Sequence, residues 1–155
     1  MDPHDLHVVA PAFVELAGRI GWCVAATVTA GGLPSTNVVQ PVWEWDGDVI
    51  QGWVELSGDS AEAANLAVMP AMSLTYFSAD HGACSADCAT QWESPDPQGP
   101  RRVRLVPRIL QVASRKGSES GVGVTLSWRR SQTDAGDPAC WAHLRTGWPW
   151  SAEGC

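Results

Sequence analysis

The chain has 155 residues, 45% hydrophobic and 17% charged, which suits one globular domain with its own core and excludes a disordered chain. No apolar run reaches membrane-spanning length, and the opening MDPHDLHVV has no basic stretch of a secretory signal, so cytoplasmic residence and mostly reduced cysteines are expected. The net charge of −7 is uneven: residues 1–100 hold thirteen acids and one base, Arg19, whereas residues 101–155 hold four acids and nine bases. A nucleic-acid partner, which needs a continuous basic face, is not expected, although the arginines between 101 and 108 could form a local anion site.

In chain order, APAFVELAGRI at 10–20 places Phe13, Leu16, Ala17 and Ile20 on one helical face, and this stripe reads as core packing. His4 and His7 precede it, three residues apart, in what reads as a frayed terminus. CVAATV at 23–28 is small, β-branched and uncharged, as in a strand covered on both faces. AGGLP at 30–34 turns the chain, and STNVVQPVWEW runs back as one strand. Asp46-Gly47-Asp48 signals a hairpin, with VIQGWVEL as its return. Helix formers follow from Ser60 to Met69, opened by a capping box of Asp59 and Glu62 and ended by Pro70. AMSLTYFS at 71–78 alternates as a strand, Cys84 to Trp92 forms another, and the prolines of SPDPQGP at 94–100 make a loop. RRVRLVPRILQVA at 101–113 is a long strand whose Pro107 requires an edge or a bulge, and VGVTLSW at 122–128 closes a count of about seven strands. A meander with one inserted helix predicts a mainly β fold, a small split β-barrel over residues 1–130. Residues 131–155 are a Trp- and Cys-rich tail whose Trp141, Trp148 and Trp150 predict packing on the barrel or at a subunit interface, or else the lining of a site.

The succession WCVAATVTAGGLPSTNVVQPVWEWDGDVIQGWV, AANLAVMPAMSLTYF, the ADC of CSADC, and RLVPRILQV resembles the pyridoxamine 5′-phosphate oxidase-like split-barrel proteins. It covers roughly residues 13–130 with the order of elements kept. The resemblance implies a homodimer with two sites at its interface, FMN or a deazaflavin as cofactor, and an oxidoreductase acting on a small molecule. It also implies that hydroxyls after the third strand, here Ser57 and Ser60, and a basic residue opening the short helix hold the flavin phosphate. In this chain the basic position is Glu62, with Glu55 and Asp59 near it, and three carboxylates repel a phosphate. Compensating charge could come from Arg19, Arg104, Arg102 or Arg108, and Trp53 is a further cofactor-binding candidate. Relatives also place a helix and a long loop where this chain has only SPDPQGP, a shortening that would open the barrel end.

Those departures keep a second reading open: an enzyme on the same barrel without flavin, catalysing a cyclisation, isomerisation or similar step in specialised metabolism. A third is a small-molecule-binding dimer without catalysis. Glu55 and Glu44, interleaved with Trp43, Trp45 and Trp53, are the candidate acid and base, provided that a tryptophan-lined pocket buries them; the ordinary alternative is a pair of solvated strand-end acids. His81, Cys84 and Cys88 have zinc-ligand chemistry without zinc-ribbon spacing, and read better as structural thiols beside a histidine; no metal is expected. Some split barrels bind haem, which keeps His81, His143 and Tyr76 as axial-ligand candidates.

Overall fold

The computed structural model describes residues 1–93, 101–114 and 124–131, with Val124 described by its backbone alone. Helix α1 spans Leu6–Ile20 and begins four residues earlier than the apolar periodicity indicates. Asp5 explains the difference: its side chain accepts the His7 N–H at 2.9 Å, which caps the helix. The terminus is therefore held in place rather than frayed. His4 Nδ1 lies 3.0 Å from both the carbonyl and the hydroxyl of Ser127, and the His7 ring meets Trp45 edge-on. Gly21 ends the helix with φ 83°, a left-handed conformation that a side chain would strain, and its N–H reaches the Ala17 carbonyl. Val9, Phe13, Leu16 and Ala17 form the buried face.

Eight strands follow, one more than expected: β1 (Cys23–Val28), β2 (Pro34–Val39), β3 (Val42–Trp45), β4 (Ile50–Leu56), β5 (Ala71–Ser78), β6 (Gly82–Trp92), β7 (Arg101–Ser114) and β8 (Val124–Arg129). All the pairings are antiparallel. The extra strand arises because 35–45 is not continuous. Gln40 and Pro41 separate β2, which pairs with β1, from β3, which pairs with β4. Proline has no N–H for a ladder, and here it marks a change of partner. β1 is also not covered on both faces, because Val24 is exposed while Cys23, Ala25 and Thr27 are buried.

The sheet runs β2-β1-β5-β6-β7-β4-β3, with β8 also paired to β7. Its two ends, β2 and β3, are consecutive in the chain. The three Cα steps from Val39 to Val42 reach at most about 11 Å, so the sheet must curl until its ends meet. They meet without a ladder between them, which leaves the barrel split along a seam. Phe13, Ile50, Met72, Leu74, Tyr76, Leu105 and Leu110 fill the interior.

Pro107 does sit at a bulge. The β6–β7 register passes from Asp87↔Ile109 to Cys88↔Pro107, which makes Arg108 the extra residue of the bulge on β7. At the same point β7 exchanges β4, paired as far as Leu105, for β8, paired from Ile109. The missing proline N–H thus falls where β7 changes neighbours.

Helix α2 (Ala61–Val68) lies between β4 and β5. Its cap is Ser60, whose Oγ accepts the Ala63 N–H at 3.1 Å, and not the expected Asp59, whose carboxylate is engaged by the Ser57 hydroxyl. Two side-chain hydrogen bonds pin the helix to the sheet. Asn65 Nδ2 donates to Thr27 Oγ1 at 2.9 Å, and Asn37 Nδ2 donates to Glu62 Oε1 at 2.8 Å. No described helix is long and apolar enough to cross a membrane. Residues 132–155, with Cys140, Trp141, His143, Trp148, Trp150 and Cys155, lie outside the described residues, as do residues 94–100, where a loop is expected.

Candidate functional site

Alternation along β3 and β4 sorts their side chains between the two faces of the sheet. Trp43, Trp45, Ile50 and Val54 turn toward α1 and the core, while Val42, Glu44, Trp53 and Glu55 turn outward. At the β2–β3 seam the outward set meets β2 and the start of α2 around a cleft of about 740 Å³. Trp22, Asn37, Val38, Val42, Glu44, Trp53, Glu55, Ser57, Ser60, Glu62 and Arg102 line it. Five expected site residues (Glu44, Trp53, Glu55, Ser57 and Ser60) are therefore brought together.

Two expected residues are not part of the lining. Arg19 forms an ion pair with Glu15 at 2.7 Å on α1, beside a separate recess of about 160 Å³ that also contains His81. Arg104 stands opposite Trp53 on β7, outside the cleft, and its Nε is buried without a hydrogen-bond partner. The guanidinium that reaches the cleft is Arg102, opposite Glu55. It lies 4.9 Å from the centre of the Trp53 ring, with its Nε 3.5 Å from Glu93. Sequence reasoning ranked Arg102 only among several compensating bases and missed Trp22 and Asn37 altogether. Their only signal is strand register, which brings residues distant in sequence to one seam.

Glu44 and Glu55 are exposed on the cleft wall rather than enclosed by tryptophan. Glu62 is 8% exposed and makes the deepest acidic contact, through Asn37. Among the described residues none of these three forms an ion pair. The Ser57 hydroxyl donates to Asp59, which holds that carboxyl below the usual aspartate range, helped by the Asp59 backbone N–H. The residues at the opening of α2 do not fit a flavin phosphate. One serine hydroxyl is already donated, an acid occupies the first turn, and the one guanidinium lining the cleft among the described residues, Arg102, has its Nε 3.5 Å from Glu93.

The haem candidates fare no better. Tyr76 is 1% exposed, and its hydroxyl accepts from Trp43 Nε1 at 2.8 Å and hydrogen-bonds the Cys23 thiol. His81 is exposed beside the small recess, and His143 lies outside the described residues. Cys23, Cys84 and Cys88 are buried free thiols, and no metal-binding group of three exists among the described residues. Burial pushes Cys23 up to about 11, partly opposed by its hydrogen bond to Tyr76. It pushes Cys84 up to about 12, with the nearby Cys23 adding to the rise, and Cys88 well above its ordinary range. These thiols belong to the core.

No protein-family model matches the sequence, and no curated protein matches it. Solved structures do match in fold. A pyridoxamine 5′-phosphate oxidase-related, FMN-binding protein from Nostoc punctiforme is 11% identical, with a TM-score of 0.62 over 83% of this chain and 92% of that one. A heme-binding protein from Mycobacterium smegmatis is 14% identical, with a TM-score of 0.60 over 78% of this chain and 57% of that one. A NimC/NimA family protein from Clostridium acetobutylicum is 13% identical, with a TM-score of 0.57 over 78% and 93%. At these identities the likeness is one of fold, and the neighbours include both FMN-binding and heme-binding proteins. With its curled antiparallel sheet and open seam, the chain has a split-barrel fold like that of these neighbours.

Proposed function

We propose that this chain is a small-molecule enzyme that works in the seam cleft without a phosphate-anchored flavin, as a homodimer in the cytoplasm. The observation that carries the reading is the pairing of Glu62 with Asn37 at the mouth of α2, where a flavin phosphate would need a base. Glu55 and Glu44, exposed in the single chain and enclosed only once a second copy covers the cleft, are the groups assigned to proton transfer, as in a cyclisation or isomerisation, and Trp53 positions the substrate. Exposed Trp22, Val38 and Val42 border the cleft, so a second copy packed there would exclude water from it.

The test is the absorbance spectrum of the purified protein, followed by desalting after incubation with FMN. The expected result is a colourless protein that retains no FMN, and a dimer by light scattering. A flavin band with stoichiometric retention would overturn the reading in favour of an FMN- or deazaflavin-dependent oxidoreductase. That second reading draws on the fold match to the FMN-binding Nostoc protein, and it would need Arg102 released from Glu93. A Soret band would point to haem instead. Once a substrate is known, Glu55→Gln is expected to lower turnover by roughly a hundredfold, the scale of a lost general acid or base.

A further inference from the structure

The cleft has a composition of its own beyond its poor fit to phosphate. Its carboxylates are free of ion pairs among the described residues, and its one lining guanidinium is held by Glu93. Glu62 is more than nine-tenths buried, so water screens its charge less than the charges of Glu44 and Glu55. Two indoles share the cleft. The Arg102 guanidinium lies 4.9 Å from the centre of the Trp53 ring, so this ring already accepts a cation that a ligand would have to displace, and the buried Trp53 Nε1 has no acceptor among the described residues. Trp22 is 59% exposed at the rim. Carboxylates beside aromatic faces are what an organic ammonium needs: charge to pair with and ring surface to cover it.

We propose that the cleft selects an organic cation, an amine carried on a planar ring, and rejects phosphate-bearing and other anionic ligands. The proposal rests on the reading of the cleft as the functional site. The ring lies against Trp53 or Trp22, and the ammonium lies among Glu55, Glu44 and Glu62. Arg102 stays on the lining over Trp53 with its Nε 3.5 Å from Glu93, so among the described lining residues three carboxylates outnumber one guanidinium.

The test uses three probes with one ring and three charges: 1-naphthylmethylamine, 1-naphthalenemethanol and 1-naphthoate, titrated calorimetrically into the full chain. The amine is expected to bind at least tenfold tighter than the alcohol, with the carboxylate weakest, and the preference should shrink as salt is raised. Glu55→Gln and Glu62→Gln should each reduce the preference for the amine about threefold or more. Glutamine keeps an acceptor for Asn37, and if Glu62→Gln nevertheless fails to fold, the exposed Glu44→Gln and Glu55→Gln carry the test. Equal binding, or tighter binding of the carboxylate, would overturn the charge assignment while leaving the cleft as the site, provided that Trp53→Ala abolishes it. No binding of any probe would overturn both.

Discussion

Two tryptophans ten residues apart, on neighbouring strands, show how the barrel divides its work. Trp43 faces inward. Its Nε1 donates to Tyr76, its ring meets Phe13 edge-on with centroids 4.9 Å apart, and it lies so close over Gly52 that no side chain fits there. Trp53 faces outward. Its Nε1 is buried without a partner, and its ring face is covered by the mobile-stemmed Arg102. A tryptophan whose polar and apolar parts are both satisfied is structural, and one with unmet valence beside a cleft is available to a ligand.

The most direct way to break this comparison is to truncate each ring. Trp43→Ala should cost about 3–5 kcal/mol in urea denaturation, whereas Trp53→Ala should cost about 1 kcal/mol and lose probe binding. Equal costs would erase the distinction.

The interior can also be attacked by pH. Burial pushes Cys23 up to about 11 and Cys84 up to about 12, above the ordinary 9.0 of an unfolded chain, and also raises Tyr76. A raised thiol contributes stability that is complete below its unfolded value and is lost as pH climbs toward its folded one. The denaturation free energy should therefore hold up to about pH 9 and fall by a few kcal/mol toward pH 11.

A smaller effect comes from the close approach itself. A Cβ at Gly52 would stand 2.6 Å from Trp43 Cε3, and the ring is held by Tyr76 and cannot swing aside. Gly52→Ala should cost about 1–3 kcal/mol, read as a lowered melting temperature. Smallest is Ser60→Ala at the cleft side of α2, about 1 kcal/mol for a lost helix cap, with probe binding weakened only as far as Glu62 shifts.

Most of the fold was legible because each strand carries its own punctuation. Gly31, Gly32 and Pro34, then Asp46-Gly47, Pro70 and Pro107, mark turns, ends or a bulge that the structure contains. The β2–β3 break was missed although Pro41 marks it, because the residues on both sides favour strands and only their partners differ. Ser60 and Asp59 are both good caps, and adjacent candidates cannot be ranked without backbone geometry. The site was legible as far as one segment could show it. Residues 53–60 were found together, whereas Arg102 reaches them through the β4–β7 register and Asn37 through the curl of the sheet. Arg19 and Arg104 were chosen for their charge, and charge alone gives no position: the structure places both outside the cleft lining.

The seam at Gln40 and Pro41 has a mechanical consequence. One side of the cleft carries Asn37 of β2 and the other Glu44 and Glu55 of β3 and β4, with the Asn37–Glu62 hydrogen bond between β2 and α2, and among the described residues no ladder joins β2 to β3. Separating the walls stretches no ladder hydrogen bond between those strands, only the Asn37–Glu62 side-chain bond, so this boundary resists widening less than a paired one. A binding site built across such a gap can change its width while its chemistry stays the same, and ligands of different thickness can meet the same carboxylates.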